Sequence, residues 1–156
     1  MRTVLATVIA TAVATTLGGA GLALADSSDP TTAVIALVAH DNHDHDIDLG
    51  HKGFSVGDED LSTAKLTMNG QAYGSIDGVC LATFVTKPTA HELCTQTLDL
   101  PNGSLVAVGT VTSSPQGPAP FDWSITGGTG SYADASGFVH VIPGNATVHM
   151  TIHVTS

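Results

Sequence analysis

The sequence predicts an all-β domain of eight consecutive antiparallel strands, and three observations carry that prediction. Beyond residue 25 no segment has the apolar period of a helix; apolar residues alternate with polar ones or run continuously between Gly, Pro and Asn. Thr147 to Val154 alternates most plainly, with Val148, Met150, Ile152 and Val154 on one face and Thr147, His149, Thr151 and His153 on the other. Asn69-Gly70, Pro101-Asn102-Gly103 and Pro143-Gly144-Asn145 are turn sequences of hairpin grade. Short links between successive strands favour an up-and-down barrel, a lipocalin-like cup whose closure removes exposed edges; two packed sheets are the alternative.

The first 25 residues read as a signal peptide. Arg2 supplies the positive start, Val4 to Leu24 is apolar and rich in small residues, and Ala23-Leu24-Ala25 is an A-x-A cleavage site. Residues 26–156 then form one domain, expected outside the cell and free of the membrane after cleavage. That domain keeps Lys52, Lys65 and Lys87 against all fourteen acids of the chain, and no arginine. With no basic patch to neutralise phosphates, nucleic acid is excluded as a partner and an anionic membrane surface is disfavoured.

The strands follow in order: Thr31–His40, Leu61–Met68, Gln71–Thr86, His91–Leu100, Ser104–Val111, Phe121–Thr126, Ala135–Ile142 and Thr147–Val154. Between the first two lies His40-Asp41-Asn42-His43-Asp44-His45-Asp46-Ile47-Asp48-Leu49-Gly50-His51. Its plain reading is a solvated acidic loop. Its density of imidazoles makes His40, His43, His45 and His51 candidate ligands for zinc, nickel or copper, although the spacing matches no rigid zinc signature. A calcium loop fails, because Leu49 and Ser55 stand where an EF-hand needs Gly and Glu.

Along Gln71–Thr86 one face carries Ala72, Gly74, Ile76, Gly78, Cys80, Ala82 and Phe84. Small residues facing inward leave room for a ligand; facing outward they suit close packing between chains. Phe121, Trp123 and Ile125 share a face and are bulky enough to line a cavity. Gly78, Phe121 and Trp123 are therefore candidate ligand-binding residues, joined by Tyr73 on strand position alone, with Tyr132, His140 and Asp77 secondary. Cys80 and Cys94 flank a hairpin centred on Lys87-Pro88, a register that sets them opposite each other, and in an exported chain they are expected to form a disulfide.

Gly127-Gly128-Thr129-Gly130-Ser131-Tyr132-Ala133-Asp134-Ala135-Ser136-Gly137 is the most distinctive segment. A phosphate-binding loop would lead into a helix; here Phe138-Val139-His140-Val141-Ile142 is strand-like and the Walker lysine is absent. The segment resembles the GGTG-x-[YF]-x-x-A-x-G element of the allene oxide cyclase and dirigent superfamily. Gly127, Gly128, Gly130 and Gly137 carry that match. Val56-Gly57-Asp58 resembles the family's "GD" element, Leu100-Pro101-Asn102-Gly103 its "L-P-x-G" hairpin, and Cys80 and Cys94 the paired cysteines of its small secreted bacterial members.

The resemblance implies a closed barrel and a homotrimer. It also implies a small apolar ligand held for isomerisation, cyclisation or stereoselective coupling, with no cofactor. It makes Asp58 the first acid to inspect for catalysis. The plant enzymes' proline and asparagine after the "GD" element are Leu61 and Ala64 here, and Ser136 replaces the arginine often found before the last glycine. The plant cyclisation residues are thus not carried over. A non-catalytic secreted binder and a metal buffer acting through the histidine tract are the alternatives.

Overall fold

A computed structural model describes residues 32–155 of the 156; the leader expected at residues 1–25 lies outside them. Eight strands form one closed antiparallel barrel in sequence order. They are β1 Thr32–Ile47, β2 Glu59–Met68, β3 Gln71–Thr86, β4 Thr89–Leu100, β5 Gly103–Ser113, β6 Phe121–Gly128, β7 Ser136–Pro143 and β8 Val148–Thr155, with one short 3-10 turn at Gly130–Tyr132. β1 pairs with both β2 and β8, from Thr32 opposite Thr155 to Ala39 opposite Val148, so no strand edge is left open there.

Alternation decides what fills the barrel. Met150, Ile152 and Val154 of β8, Val139 and Val141 of β7, and Leu105 and Ala107 of β5 are all buried, while their neighbours along each strand face out. Phe121, Trp123 and Ile125 of β6 turn the same way, Trp123 and Ile125 buried and Phe121 packed against the core.

Two expectations are corrected. β1 does not end at His40: it continues to Ile47, pairing His43 to Ile47 with Thr63 to Glu59. The histidine tract is therefore largely strand, not loop. A bulge between His40 and His43, with Asp41 at φ 55°, allows the pairing to resume with the alternation shifted. The second correction concerns β3. A bulge between Ala82 and Phe84 puts Phe84 on the outside, 49% exposed and edge-on to His91 at 5.3 Å, so the small-residue face stops at Ala82. A bulge at the other end of β3, where Leu66 pairs with Gly74 and Thr67 with Ala72, turns Tyr73 inward.

The two ends of the barrel differ. One is closed by the glycine segment. Ser131 N–H bonds to Asn102 O at 2.9 Å and Thr129 N–H to Ser104 O at 2.8 Å, which lays the 3-10 turn across the β4–β5 hairpin. Gly130, at φ 60°, leaves only 2.3 Å between an added Cβ and Asn102 O, so glycine is required by both conformation and space. Tyr132 is buried beneath. The four glycines of the resemblance thus belong to the plug of the barrel's base.

Candidate active site

The opposite end is open. The C-terminal ends of β1, β3, β5 and β7 and the N-terminal ends of β2, β4, β6 and β8 surround a cavity of about 260 Å3. Much of its lining is apolar: Ile76, Val111, Val141 and Met150 are all core residues. Phe121 and Trp123 form one wall, with ring centroids 5.2 Å apart and planes tilted by 54°. Asp44 of β1, Asp60 of β2 and Glu92 of β4 bring carboxylates to the other side.

Asp60 is the unusual group. Its Oδ1 is buried and has no hydrogen-bond partner. Burial pushes its carboxyl above the usual aspartate range, and the nearby charges of Asp44, Asp46 and Glu92 push the same way, with the His45 backbone N–H partly offsetting them. The pairing of Asp46 with Asp60 explains the crowding, because the extension of β1 sets one acidic strand beside another. Across the barrel, four strands away on β6, the Trp123 Nε1–H is likewise buried and unpartnered.

Two glycines shape the site. Gly109 of β5 lies where a Cβ would come within 2.6 Å of Trp123 Cδ1, so its bare backbone lets the indole lie across β5. Gly78 pairs with Gln96, and a Cβ there would stand 2.0 Å from Gln96 Oε1. The Gln96 side chain therefore folds over Gly78, buried at 4% exposure in the cavity wall. Cys80 and Cys94 are directly paired across β3 and β4 and joined by a disulfide, which staples the same wall.

The remaining sequence candidates lie elsewhere. Asp58 is buried just before β2, but its carboxylate accepts the backbone N–H of Leu49 at 2.8 Å and of Ser55 at 2.7 Å. Those two bonds hold its pKa below the usual value and clamp the loop 48–58, and Asp58 is not part of the barrel cavity's lining. Tyr73 packs against the core near Tyr132, at the closed end. His43 and His45 alternate with Asp44, so they stand on the outer face of β1, and His51 is exposed in the loop. Among the described residues no three His, Cys, Asp or Glu side chains converge as a metal site. His140 is on the outer face, its Nδ1 2.6 Å from Asp122 Oδ1; Asp77 is exposed on β3.

Sequence reasoning ranked Asp58 ahead of Asp60 among three adjacent acids, and missed Gln96 and Gly109. An acid beside a strand start is ordinarily solvated, and nothing in Gly57-Asp58-Glu59-Asp60 distinguishes one carboxylate from the next. Only the cross-strand neighbours do.

No curated protein matches the chain in sequence. A solved structure described as "Pyocyanin demethylase" is 30% identical, with a TM-score of 0.68 over 78% of this chain and 99% of that one. The Diels-Alderase AbmU from Streptomyces koyangensis shares the fold at 17% identity, TM-score 0.63, over 83% of this chain and 69% of its own. The pterocarpan synthase dirigent protein GePTS1 does so at 13% identity, TM-score 0.64, over 91% and 98%. The family profile described as "Allene oxide cyclase barrel like domain" matches residues 35–154. The closed barrel, the glycine plug at its base and this match agree: the chain belongs to the allene oxide cyclase barrel-like family.

Proposed function

We propose that the protein is an exported isomerase or cyclase that encloses a small, mostly apolar organic molecule in the open end of the barrel and moves a proton on it through Asp60. The observation that carries this reading is the buried, unpartnered Asp60 oxygen at the edge of an apolar cavity. A carboxyl group with a raised pKa is suited to general acid–base work near neutral pH. As carboxylate it takes a proton from a substrate C–H, whose electron pair moves into the conjugated system. As carboxylic acid it returns that proton at another atom. The net change is a shifted double bond or a closed ring, with no oxidant or reductant consumed. The apolar lining and the Phe121–Trp123 wall hold the substrate in one folded conformation, which lowers the entropic part of the barrier.

The 30% identical pyocyanin demethylase supports a small ring compound as the substrate class. The Cys80–Cys94 disulfide fits an oxidising compartment, and so supports export. A non-catalytic carrier using the same cavity is the competing reading.

Trp123 is the chain's one tryptophan and lines the cavity, so its emission reports occupancy. Titration with pyocyanin, other tricyclic compounds and fatty-acid derivatives is expected to give saturable quenching with at least one class. Incubating that ligand in D2O with the wild type and with Asp60→Asn then separates enzyme from carrier. Deuterium exchange or conversion is expected with the wild type alone. Equal exchange by both proteins, or no saturable ligand in any class, rejects the proposal.

A further inference from the structure

The cavity is acidic on one side and has nothing to neutralise it. Asp44, Asp60 and Glu92 line it, and no lysine, arginine or histidine does, among the described residues. Of the domain's cations, Lys65 sits outside the barrel, 73% exposed and paired with Asp41 at 3.1 Å, and Lys52 and Lys87 are exposed in loops. Ser113 Oγ donates to Glu92 Oε2 at 3.2 Å, but Asp60 Oδ1 receives no donor at all. A neutral hydrocarbon ligand would seal these carboxylates from water with only the Ser113 hydroxyl and the His45 backbone N–H to offset their burial, and no cation, which is unfavourable.

A second, independent feature stands on the opposite strand wall, where Phe121 and Trp123 line the cavity and Trp123 is 7% exposed. Its ring and that of Phe121 form a tilted aromatic surface of the kind that attracts organic cations by their π faces. The site thus offers acceptors along one edge and an aromatic and apolar surface along the other. Its volume of about 260 Å3 is just below the range for drug-sized ligands, about 300–1,000 Å3.

We infer that the molecule taken by the barrel is a flat organic cation, a quaternary or protonated nitrogen heteroaromatic. Its positive edge faces Asp60, Asp44 and Glu92, and its flat face lies against the rings of Phe121 and Trp123. The inference rests on the enclosed-ligand reading above and adds the ligand's charge, which decides which members of a ring-compound class enter.

The test compares two molecules of nearly the same shape at pH 8: 10-methylacridinium, a permanent cation, and acridine, neutral at that pH. 9-Anthracenecarboxylate serves as the anionic control. Binding to the folded mature protein is measured by calorimetry and by Trp123 quenching. The cation is expected to bind roughly tenfold or more tightly than acridine, and the anion not detectably, as unscreened charge complementarity at a partly desolvated site requires. Asp60→Asn and, separately, Glu92→Gln are expected to weaken the cation and leave acridine unchanged; circular dichroism confirms each fold, and either variant alone suffices if the other fails to fold. Equal affinity for acridinium and acridine overturns the inference while the enclosed-ligand reading stands. A cation advantage that survives both substitutions also overturns it. If none of the three binds, both readings fall.

Discussion

A Cβ on Gly78 would meet the Gln96 amide at 2.0 Å, so the identity of one residue is set by the side chain opposite. Gly78→Ala is expected to destabilise the fold by about 1–3 kcal/mol, the usual range for overpacking. Most of that loss should disappear in a Gln96→Ala background, because the clash needs both partners. Strictly additive losses in a urea-denaturation cycle would show that Gly78 serves some other purpose. Asp60 and Asp58 make a second residue-scale prediction, with opposite signs. Burial raises the Asp60 pKa in the folded state, so its contribution is most favourable below the ordinary value of 3.8 and is lost as pH rises through the folded pKa. Asp60→Asn should therefore melt higher than wild type at pH 7, with the gap closing near pH 3.5. The backbone bonds lower the Asp58 pKa, so its stabilisation is present above 3.8 and lost as pH falls through the folded pKa. Asp58→Asn should melt lower at pH 7 and converge with wild type in acid. Melting curves at both pH values check the pair, and a shift of the same sign for both variants would contradict it.

At the scale of the element, the β3–β4 hairpin is the barrel's stapled unit. Its two cysteines are 14 residues apart, Cys94 is fully buried, and the bond lies beside the cavity. Replacing both with alanine is expected to cost about 3 kcal/mol through the larger freedom of the unfolded chain. Denaturant titration of the double variant measures this, and unchanged stability would mean the staple contributes nothing. This hairpin also shows what was legible in the sequence. Apolar alternation and turn residues were enough to locate eight strands and the cross-strand cysteine pair. The end of β1 was not legible, because His43-Asp44-His45-Asp46 alternates two polar residue types and carries no apolar signal. Missing that extension meant ranking Asp58 above Asp60, whose burial and whose neighbours Asp44 and Asp46 come from β1 running beside it. The bulges in β1 and β3 were equally silent, yet they decide that Phe84 faces out and Tyr73 in.

For the whole molecule, the outer surface carries its own pattern. Leu61, Leu81 and Leu93 are 39%, 37% and 42% exposed on β2, β3 and β4; Leu81 and Leu93 are direct cross-strand partners, and Leu61 pairs with Val79. Such a patch on a closed barrel is a natural contact between copies. The homotrimer implied by the family resemblance is expected to use it. Light scattering of the mature protein should give three chains per particle, and Leu81→Lys with Leu93→Lys should give one. A wild-type mass of a single chain would remove the trimer, and an unshifted double variant would move the interface elsewhere.

Thr32 and Thr155 are paired neighbours, with their hydroxyl oxygens 3.4 Å apart at the plugged end, remote from the acidic mouth. Topologically the domain is thus a ring cut at one point, and the position of the cut matters little to the walls of the cavity. A short linker from Thr155 to Thr32, with new ends opened between Asn69 and Gly70, should give a circular permutant that folds and keeps its ligand. For the same reason a tether or fusion partner attached at the plugged end should leave the mouth facing free solution. An immobilised barrel that binds as well as the free one, by surface resonance against calorimetry, is the expected result. A permutant that folds but has lost its ligand would show that strand continuity through the β1–β8 seam shapes the mouth from the far end.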